Sequence, residues 1–127
     1  MRRTSMFAAA LLCAIAGNGP WNFAWADGDA THGQQIYESR CIACHSPDAN
    51  RVGPMHRGVF GRKAGSLPDY NYSKALKGAG FVWNDETLDK WLTNPQAFVP
   101  GQKMNFKVTK PEDRADLIAY LKTLQLQ

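Results

Sequence analysis

The chain has 127 residues, with 15 lysines and arginines, 11 aspartates and glutamates, and a net charge of +4 at pH 7. This length allows one small domain, which excludes an enzyme with separate cofactor and substrate domains. Charged residues make up 20% and hydrophobic residues 44% of the chain, as in a globular protein and unlike a disordered one. The basic residues are dispersed along the chain, so no nucleic-acid partner is expected.

The first 26 residues have the pattern of a signal peptide. Arg2 and Arg3 precede an apolar run of about a dozen residues, and an Ala-Trp-Ala cleavage site ends at Ala26. The run is shorter than the ~20 residues that span a bilayer, although an uncleaved leader acting as an anchor is an alternative. We predict a signal peptide over residues 1–26, cleaved after Ala26, and a periplasmic domain over residues 27–127 that is not stably inserted in the membrane. Cleavage would remove two arginines and no acid, lowering the net charge from +4 to +2.

Residues 41–45 read Cys-Ile-Ala-Cys-His and follow a predicted helix that runs from a cap at Asp29 or Thr31 to about Cys41. This spacing is typical of covalent c-type haem attachment. One helical turn places both thiols along one edge of a porphyrin, where each adds to a vinyl group. The next residue, His45, then lies over the ring and is the predicted proximal ligand of the iron.

Three other uses of the Cys-x-x-Cys pair fit the sequence less well. A disulfide would close a very short loop, stabilise little and leave His45 without a role. A redox pair usually follows a strand in a βαβ unit, and no strand pattern precedes this one. A zinc site needs about four ligands, and only His32 and His56 are left to supply them.

The residues that could bind iron on the opposite face are Met55, Met104, His32 and His56. Met55 and His56 follow His45 so closely that either would need a sharp chain reversal to reach that face. Met104 lies in a polar loop with proline and glycine, an unlikely place for a methionine that only fills a core. We therefore predict Met104 as the distal ligand.

Two further helices are predicted after the haem motif. Asn84 caps one that stops at Asn94-Pro95, and Pro111 opens the other. Each has acidic residues in its first turn and an apolar face; these faces are Leu88, Trp91 and Leu92, and Leu117, Ile118, Leu121 and Leu124. No alternating strand pattern appears. The sequence predicts an all-α domain of three to five helices around one covalently bound haem c.

Taken together, residues 28–127 resemble class I cytochromes c of the mitochondrial-cytochrome-like branch found in exported bacterial proteins. The order and spacing of short motifs carry the resemblance. Besides Cys-x-x-Cys-His, these are Gly33 with Tyr37, residues 52–54, 58–63, 72–73, Trp83, 94–95, 100–104 and 116–121.

The resemblance implies roles for residues around the haem. Gly33 would allow the first and last helices to cross closely against Leu117 and Tyr120. Pro54 would belong to the loop whose carbonyl orients the proximal histidine. Residues implied to shield or hydrogen-bond the haem propionates are Arg62, Tyr72 and Trp83.

Three positions depart from the family pattern. Trp91 stands where a tyrosine often reaches the methionine sulfur, and its indole N–H is the expected substitute. Gln102 stands where a threonine often bonds a propionate, and we expect it to bind the cofactor too. His56 replaces an apolar residue and is expected to be a plain surface histidine or, alternatively, an iron ligand.

A six-coordinate iron predicts a one-electron carrier, not an enzyme. The resemblance implies a monomer that takes electrons from a quinol-oxidising complex or dehydrogenase and passes them to an oxidase or reductase of a respiratory chain. One alternative is a haem-based catalyst or gas-binding protein with a labile methionine ligand. Another is a dedicated electron-transfer subunit of a dehydrogenase.

Docking to these partners is expected to be weak and electrostatic. The basic residues proposed for it are Arg40, Lys63, Lys103, Lys107 and Lys110. Gln96 and Ala97 replace a common lysine pair, so we expect a shallow salt dependence.

Overall fold

Five α-helices make up the computed structural model, which describes residues 27–127. They are α1 (Ala30–Arg40), α2 (Lys74–Lys77), α3 (Asp85–Thr93), α4 (Pro95–Phe98) and α5 (Pro111–Thr123). The extended structure within residues 27–127 is limited to one isolated antiparallel bridge between Lys63 and Val82. The all-α prediction is therefore confirmed. The predicted signal peptide lies outside the described residues.

The helices begin where the capping residues predict. The Asp29 carboxylate accepts hydrogen bonds from the backbone N–H groups of Thr31 and His32 at the start of α1, at 2.8 and 3.3 Å. At α3, Asn84 and Thr87 form a reciprocal capping box. The cap predictions for Asp29 and Asn84 are confirmed, because such local hydrogen bonds depend on only a few neighbouring residues.

Helices α1 and α5 cross at Gly33, and this crossing joins the two ends of the domain. A Cβ atom at Gly33 would lie 1.9 Å from the Asp116 carbonyl oxygen and 2.9 Å from the Tyr120 Cβ. Only a glycine permits so close an approach without moving a helix. The close crossing predicted for Gly33 is confirmed.

A polar network fastens α1 to α5 next to Gly33. Asp116 accepts the Asp29 N–H at 2.7 Å with one carboxylate oxygen, and its other oxygen lies 2.7 Å from Nδ1 of His32. This hydrogen bond raises the pKa of His32 and lowers that of Asp116. The strength of the contact between His32 and Asp116, at the exposed edge of the crossing, therefore depends on pH.

Arg114 fastens α5 to α3 and to the segment before α5. Its Nε donates to the Asp89 carboxylate at 2.6 Å, and its Nη1 donates to the carbonyls of Val108 and Thr109 at 3.0 and 3.1 Å. The side chain is mostly buried, so these three acceptors compensate for its lost hydration. The contact holds the 99–110 loop against the helices.

None of the helices in residues 27–127 has both the length and the apolar character needed to cross a bilayer. They enclose a cavity instead, and that cavity holds the candidate site.

Candidate functional site

A cavity of about 340 Å³ lies between the helices and the two long loops, residues 41–73 and 99–110. All the predicted cofactor-binding residues and both predicted iron ligands line it: Cys41, Cys44, His45, Pro54, Arg62, Tyr72, Trp83, Trp91, Gln102 and Met104. Aliphatic side chains, among them Leu88, Leu92, Leu117 and Leu121, complete its walls. The cavity is therefore mainly apolar, with thiol, imidazole and thioether groups at its edge.

The two cysteines lie on one turn that continues from the end of α1. The N–H groups of Cys44 and His45 both donate to the Cys41 carbonyl, at 3.1 and 2.9 Å. The two cysteines form no disulfide with each other, and burial raises the pKa of the Cys41 thiol to about 11. The turn places both sulfurs and the following imidazole on the same cavity wall.

The His45 ring has a fixed orientation. Its Nδ1 lies 2.8 Å from the Pro54 carbonyl oxygen, and a carbonyl can only accept, so Nδ1–H donates. The lone pair is then on Nε2, the atom available to a metal. Burial lowers the pKa of His45, which favours the neutral ring that a ligand requires, and the bond to Pro54 opposes this shift.

Gly53 gives the His45 ring its space. A Cβ atom at Gly53 would lie 2.1 Å from Cε1 of His45, closer than any non-bonded contact allows. The Gly53 N–H also donates to the Cys44 carbonyl at 2.8 Å, which brings the loop back over the cysteine turn. This residue therefore shapes the site as directly as Pro54 does.

His56 does not lie on the surface. Its half-buried ring stacks on His45, with centroids 4.0 Å apart and planes 21° apart, and its Nδ1 lies 3.0 Å from the Tyr37 hydroxyl. Burial, helped by His45 and Arg62, keeps the pKa of His56 well below its usual value. The expectation of a plain surface histidine was wrong, because Tyr37 supplies a polar partner inside the fold.

Met104 lies in the loop between α4 and α5, far along the sequence from the cysteines, and it lines the same cavity. Met104 is half-buried against the core, and the flanking Lys103 donates to the Asn71 carbonyl at 3.2 Å. The buried Gln102 amide bonds the backbone N–H and carbonyl of Met104. The expectation that this side chain binds the cofactor stays a prediction, but these bonds already occupy its amide.

The remaining predicted residues, Arg62, Tyr72, Trp83 and Trp91, also line the cavity. Arg62 donates to the carbonyls of Arg57 and Met55, at 3.2 and 2.9 Å. The buried rings of Trp83 and Trp91 meet edge to face with centroids 5.3 Å apart, and Tyr72 packs in the same way on Tyr70 at 4.7 Å. Their roles toward propionates or the methionine sulfur stay predictions.

The cavity suits a haem group in its shape and its donors. A thiol pair one turn apart, an imidazole with an available Nε2 and apolar aromatic walls are the features that covalent haem requires. Within residues 27–127, no three His, Cys, Asp or Glu side chains cluster to hold a metal ion by themselves. The thiol pair, the imidazole and the apolar walls fit a haem macrocycle.

Sequence reasoning missed two contributors to the site. Gly53 was noticed only as part of a motif, and the pairing of His56 with Tyr37 was not foreseen. A glycine directly before Pro54 was an available signal for a tight approach. The His56–Tyr37 contact joins residues 19 positions apart and leaves no local pattern.

The comparisons with known proteins agree with this geometry. The family model described as Cytochrome c matches residues 30–125. The cytochrome c of Euglena viridis is 50% identical over 101 residues, which are 77% of this chain and 99% of the relative. The cytochrome c2 of Rhodomicrobium vannielii is 50% identical over 104 residues, 79% of this chain and 82% of that protein.

A solved structure shows the same fold. The structure of cytochrome cH from Methylobacterium extorquens superposes with a TM-score of 0.72 at 44% identity, covering 76% of this chain and 99% of that one. Sequence family, fold and the Cys-x-x-Cys-His turn agree with one another. The chain therefore belongs to the cytochrome c family, with covalently attached haem c as its cofactor and electron transport as its function.

Proposed function

We propose that this protein carries single electrons between redox proteins of the periplasm and its membrane, with His45 and Met104 as the axial ligands of the haem iron. The observation that supports this most is that His45 and Met104 line the same cavity as the two cysteines while coming from separate loops. Each contributes one atom suited to iron, an imidazole nitrogen and a thioether sulfur.

The surrounding residues prepare these ligands for electron transfer. When bound, haem supplies a one-electron couple between ferrous and ferric iron. Pro54 holds the His45 ring with Nε2 available, and the soft thioether of Met104 favours the ferrous state. The buried indole rings of Trp83 and Trp91 exclude water, which also raises the reduction potential. If His45 and Met104 both hold the iron, no position on it would be left for a substrate.

The partners are proposed to dock where the cavity reaches the surface. Lys103 and Arg40 line the cavity, and Arg40 is paired with Asp113 at 3.3 Å. Val52 and Phe106 line it too, and they are 75% and 37% exposed. A quinol-oxidising complex or a dehydrogenase is the proposed donor, and an oxidase or reductase is the proposed acceptor. Acidic residues on either partner would speed encounter with this rim.

The charge on the docking rim is modest, and we expect the electron-transfer rate to fall only gently as salt is added. Gln96 and Ala97 are exposed and uncharged, so they add nothing to the rim's charge. Stopped-flow measurement of the reaction with a purified oxidase over a range of ionic strength tests this point. A steep fall in rate would contradict it.

Export to the periplasm is proposed from the leader pattern at residues 1–26. Mass spectrometry of the protein from a periplasmic extract should find a chain that begins at Asp27 and carries one haem. A full-length chain in the membrane fraction would contradict this part of the proposal.

The ligand assignment is tested by the optical spectrum of the oxidised protein. The wild-type protein should show the weak band at the near-infrared edge that is typical of a methionine–ferric iron bond. The Met104→Ala variant should lose the band, become high-spin and bind carbon monoxide rapidly when reduced. Met55→Leu is the matched control, since Met55 is also half-buried, and it should retain the band. A wild-type protein that is high-spin and binds carbon monoxide at once would favour the haem-based catalyst or gas-binding protein.

A further inference from the structure

Gln102 is buried within a loop whose other residues are mostly exposed. Only 7% of the residue is accessible, whereas Gly101, Lys103, Asn105 and Phe106 are exposed. A glutamine is seldom buried unless its amide is fully hydrogen-bonded. The partners of the amide therefore indicate why it is there.

Both ends of the Gln102 amide bond the backbone of Met104. Oε1 accepts the Met104 N–H, and Nε2 donates to the Met104 carbonyl at 2.8 Å. The second N–H of Nε2 points to Oε1 of Gln96 at 3.4 Å. The Gln102 N–H in turn donates to the Val99 carbonyl at 3.1 Å, so the residue is itself held in a turn.

This arrangement restrains Met104 in a way that a smaller side chain does not. Hydrogen bonds to both the N–H and the carbonyl of one residue fix the orientation of its backbone and hence the direction of its side chain. A hydroxyl group can donate one proton and accept another, but both functions lie on a single oxygen, which cannot occupy the two separate positions of the amide oxygen and nitrogen. The amide is therefore specific to this task.

A propionate-binding role for Gln102 fits the same bonds poorly. Both amide protons are already donated, to Met104 and to Gln96. What remains free on the side chain is acceptor capacity on Oε1, which repels a carboxylate. The hydrogen bonds thus point toward the methionine and away from a propionate.

We propose that Gln102 is a positioning residue that clamps the Met104 backbone and so keeps the thioether on the iron. This inference rests on the proposed ligation by His45 and Met104. It gives Gln102 a function that does not involve binding the cofactor directly.

The test measures how easily exogenous imidazole displaces Met104 from the ferric holoprotein. Gln102→Glu is nearly isosteric and keeps an acceptor for the Met104 N–H, but it has no proton to donate to the carbonyl. Gln102→Thr can keep at most one of the two bonds, because its hydroxyl is a single oxygen on a shorter side chain. We expect the affinity for imidazole to rise about tenfold in Gln102→Thr, as loss of hydrogen bonds of ordinary strength implies, and to rise at least as much in Gln102→Glu, whose carboxylate would be buried against the Met104 carbonyl oxygen.

Gln96→Ala is the matched control, because it removes the neighbouring side chain and leaves both bonds to Met104. Its imidazole affinity should equal that of the wild-type protein. The guanidinium unfolding midpoint of each variant, measured in parallel, separates loss of the clamp from general destabilisation. In the Gln102 variants we expect weaker binding of Met104 to the iron, with an unfolding midpoint equal to that of the wild-type protein.

The outcomes separate this inference from the proposal on which it rests. A wild-type protein without the methionine–iron band would overturn both the ligation and the clamp. A wild-type protein with the band, together with Gln102→Thr and Gln102→Glu variants that bind imidazole within about twofold of it, would overturn the clamp alone.

Discussion

The crossing of α1 and α5 and the haem cavity use the same buried residues in opposite ways. At the crossing the two helices pack directly on each other, since Gly33 lies against the Asp116 backbone and Tyr37 is only 1% exposed. On the cavity side, Tyr37, Leu117 and Leu121 face about 340 Å³ of space. The core at the crossing is filled by the side chains of the protein itself, whereas the core around the cavity needs the cofactor to fill it.

This difference teaches that folding and haem attachment are coupled through shared side chains. Filling the cavity with a macrocycle buries apolar surface on the order of hundreds of Å², at about 25 cal/mol per Å². A domain of this size has a modest core, so that contribution decides whether it folds. We therefore expect that the crossing of α1 and α5 alone does not keep the haem-free domain folded.

The largest effect is expected from removing both attachment sites. The Cys41→Ala, Cys44→Ala double variant should lose covalent haem and most of its far-ultraviolet circular dichroism, because the cavity side of the core is then unfilled. Ile42→Ser, which changes an exposed residue between the two cysteines, is the control and should keep both signals. A haem-free double variant with native helix content would show that the crossing suffices by itself.

A change at the crossing should reduce stability without altering the haem spectrum. Gly33→Ala places a Cβ atom 1.9 Å from the Asp116 carbonyl oxygen, so α1 and α5 must separate. We expect the free energy of unfolding of the holoprotein to fall by about 3 kcal/mol in a guanidinium titration. Gly78→Ala is the control, since its Cβ would come no closer than 3.4 Å to the Lys74 carbonyl oxygen. Equal unfolding midpoints for both variants would refute the close crossing.

A glycine-to-alanine substitution on the cavity side should alter the haem spectrum more than it alters the stability. Gly53→Ala places its Cβ 2.1 Å from Cε1 of His45 and forces the imidazole to tilt. We expect a change in the low-spin electron paramagnetic resonance signal of the ferric protein, with a loss of stability of about 1 kcal/mol, smaller than for Gly33→Ala. An unchanged resonance spectrum would mean that the loop moves and the ring does not.

The smallest effect is expected at the exposed edge of the crossing. Folding raises the pKa of His32 above its ordinary value of 6.5, so the contact with Asp116 stabilises the fold below that pH and is lost as the pH rises through the raised pKa. Asp116 has a lowered pKa, so its contribution is lost only in more acidic solution. The difference in melting temperature between the wild-type protein and His32→Gln should be largest below pH 6.5 and should shrink as the pH rises through the raised pKa of His32. A difference that does not change with pH would exclude this ion pair.

What the sequence could predict depends on how local the physical cause is. Helix starts at Asp29, Asn84 and Pro111 follow from side chains within a few residues of the first turn, and each prediction is confirmed. Attachment chemistry was readable for the same reason, since the two thiols and the imidazole lie within five consecutive residues. Both depend on spacing that a linear chain displays directly.

The missed features depend on segments that meet only in the folded protein. The bond between Arg114 and Asp89 joins residues 25 positions apart, and nothing near either residue indicates its partner. His56 looked like a surface histidine because Tyr37, its partner, lies in a different element. Gln102 was noticed as a departure from a pattern, but the direction of its amide depends on how the loop is folded.

The crossing of the first and last helices also has a consequence for synthesis of the chain. Asp29 and Asp116 are 87 positions apart, so the hydrogen bond between them cannot form before α5 has been synthesised. Contacts of such long sequence separation form late and slowly. A nascent polypeptide that still lacks α5 cannot close this crossing, so we expect the domain to complete its fold only after α5 has been synthesised.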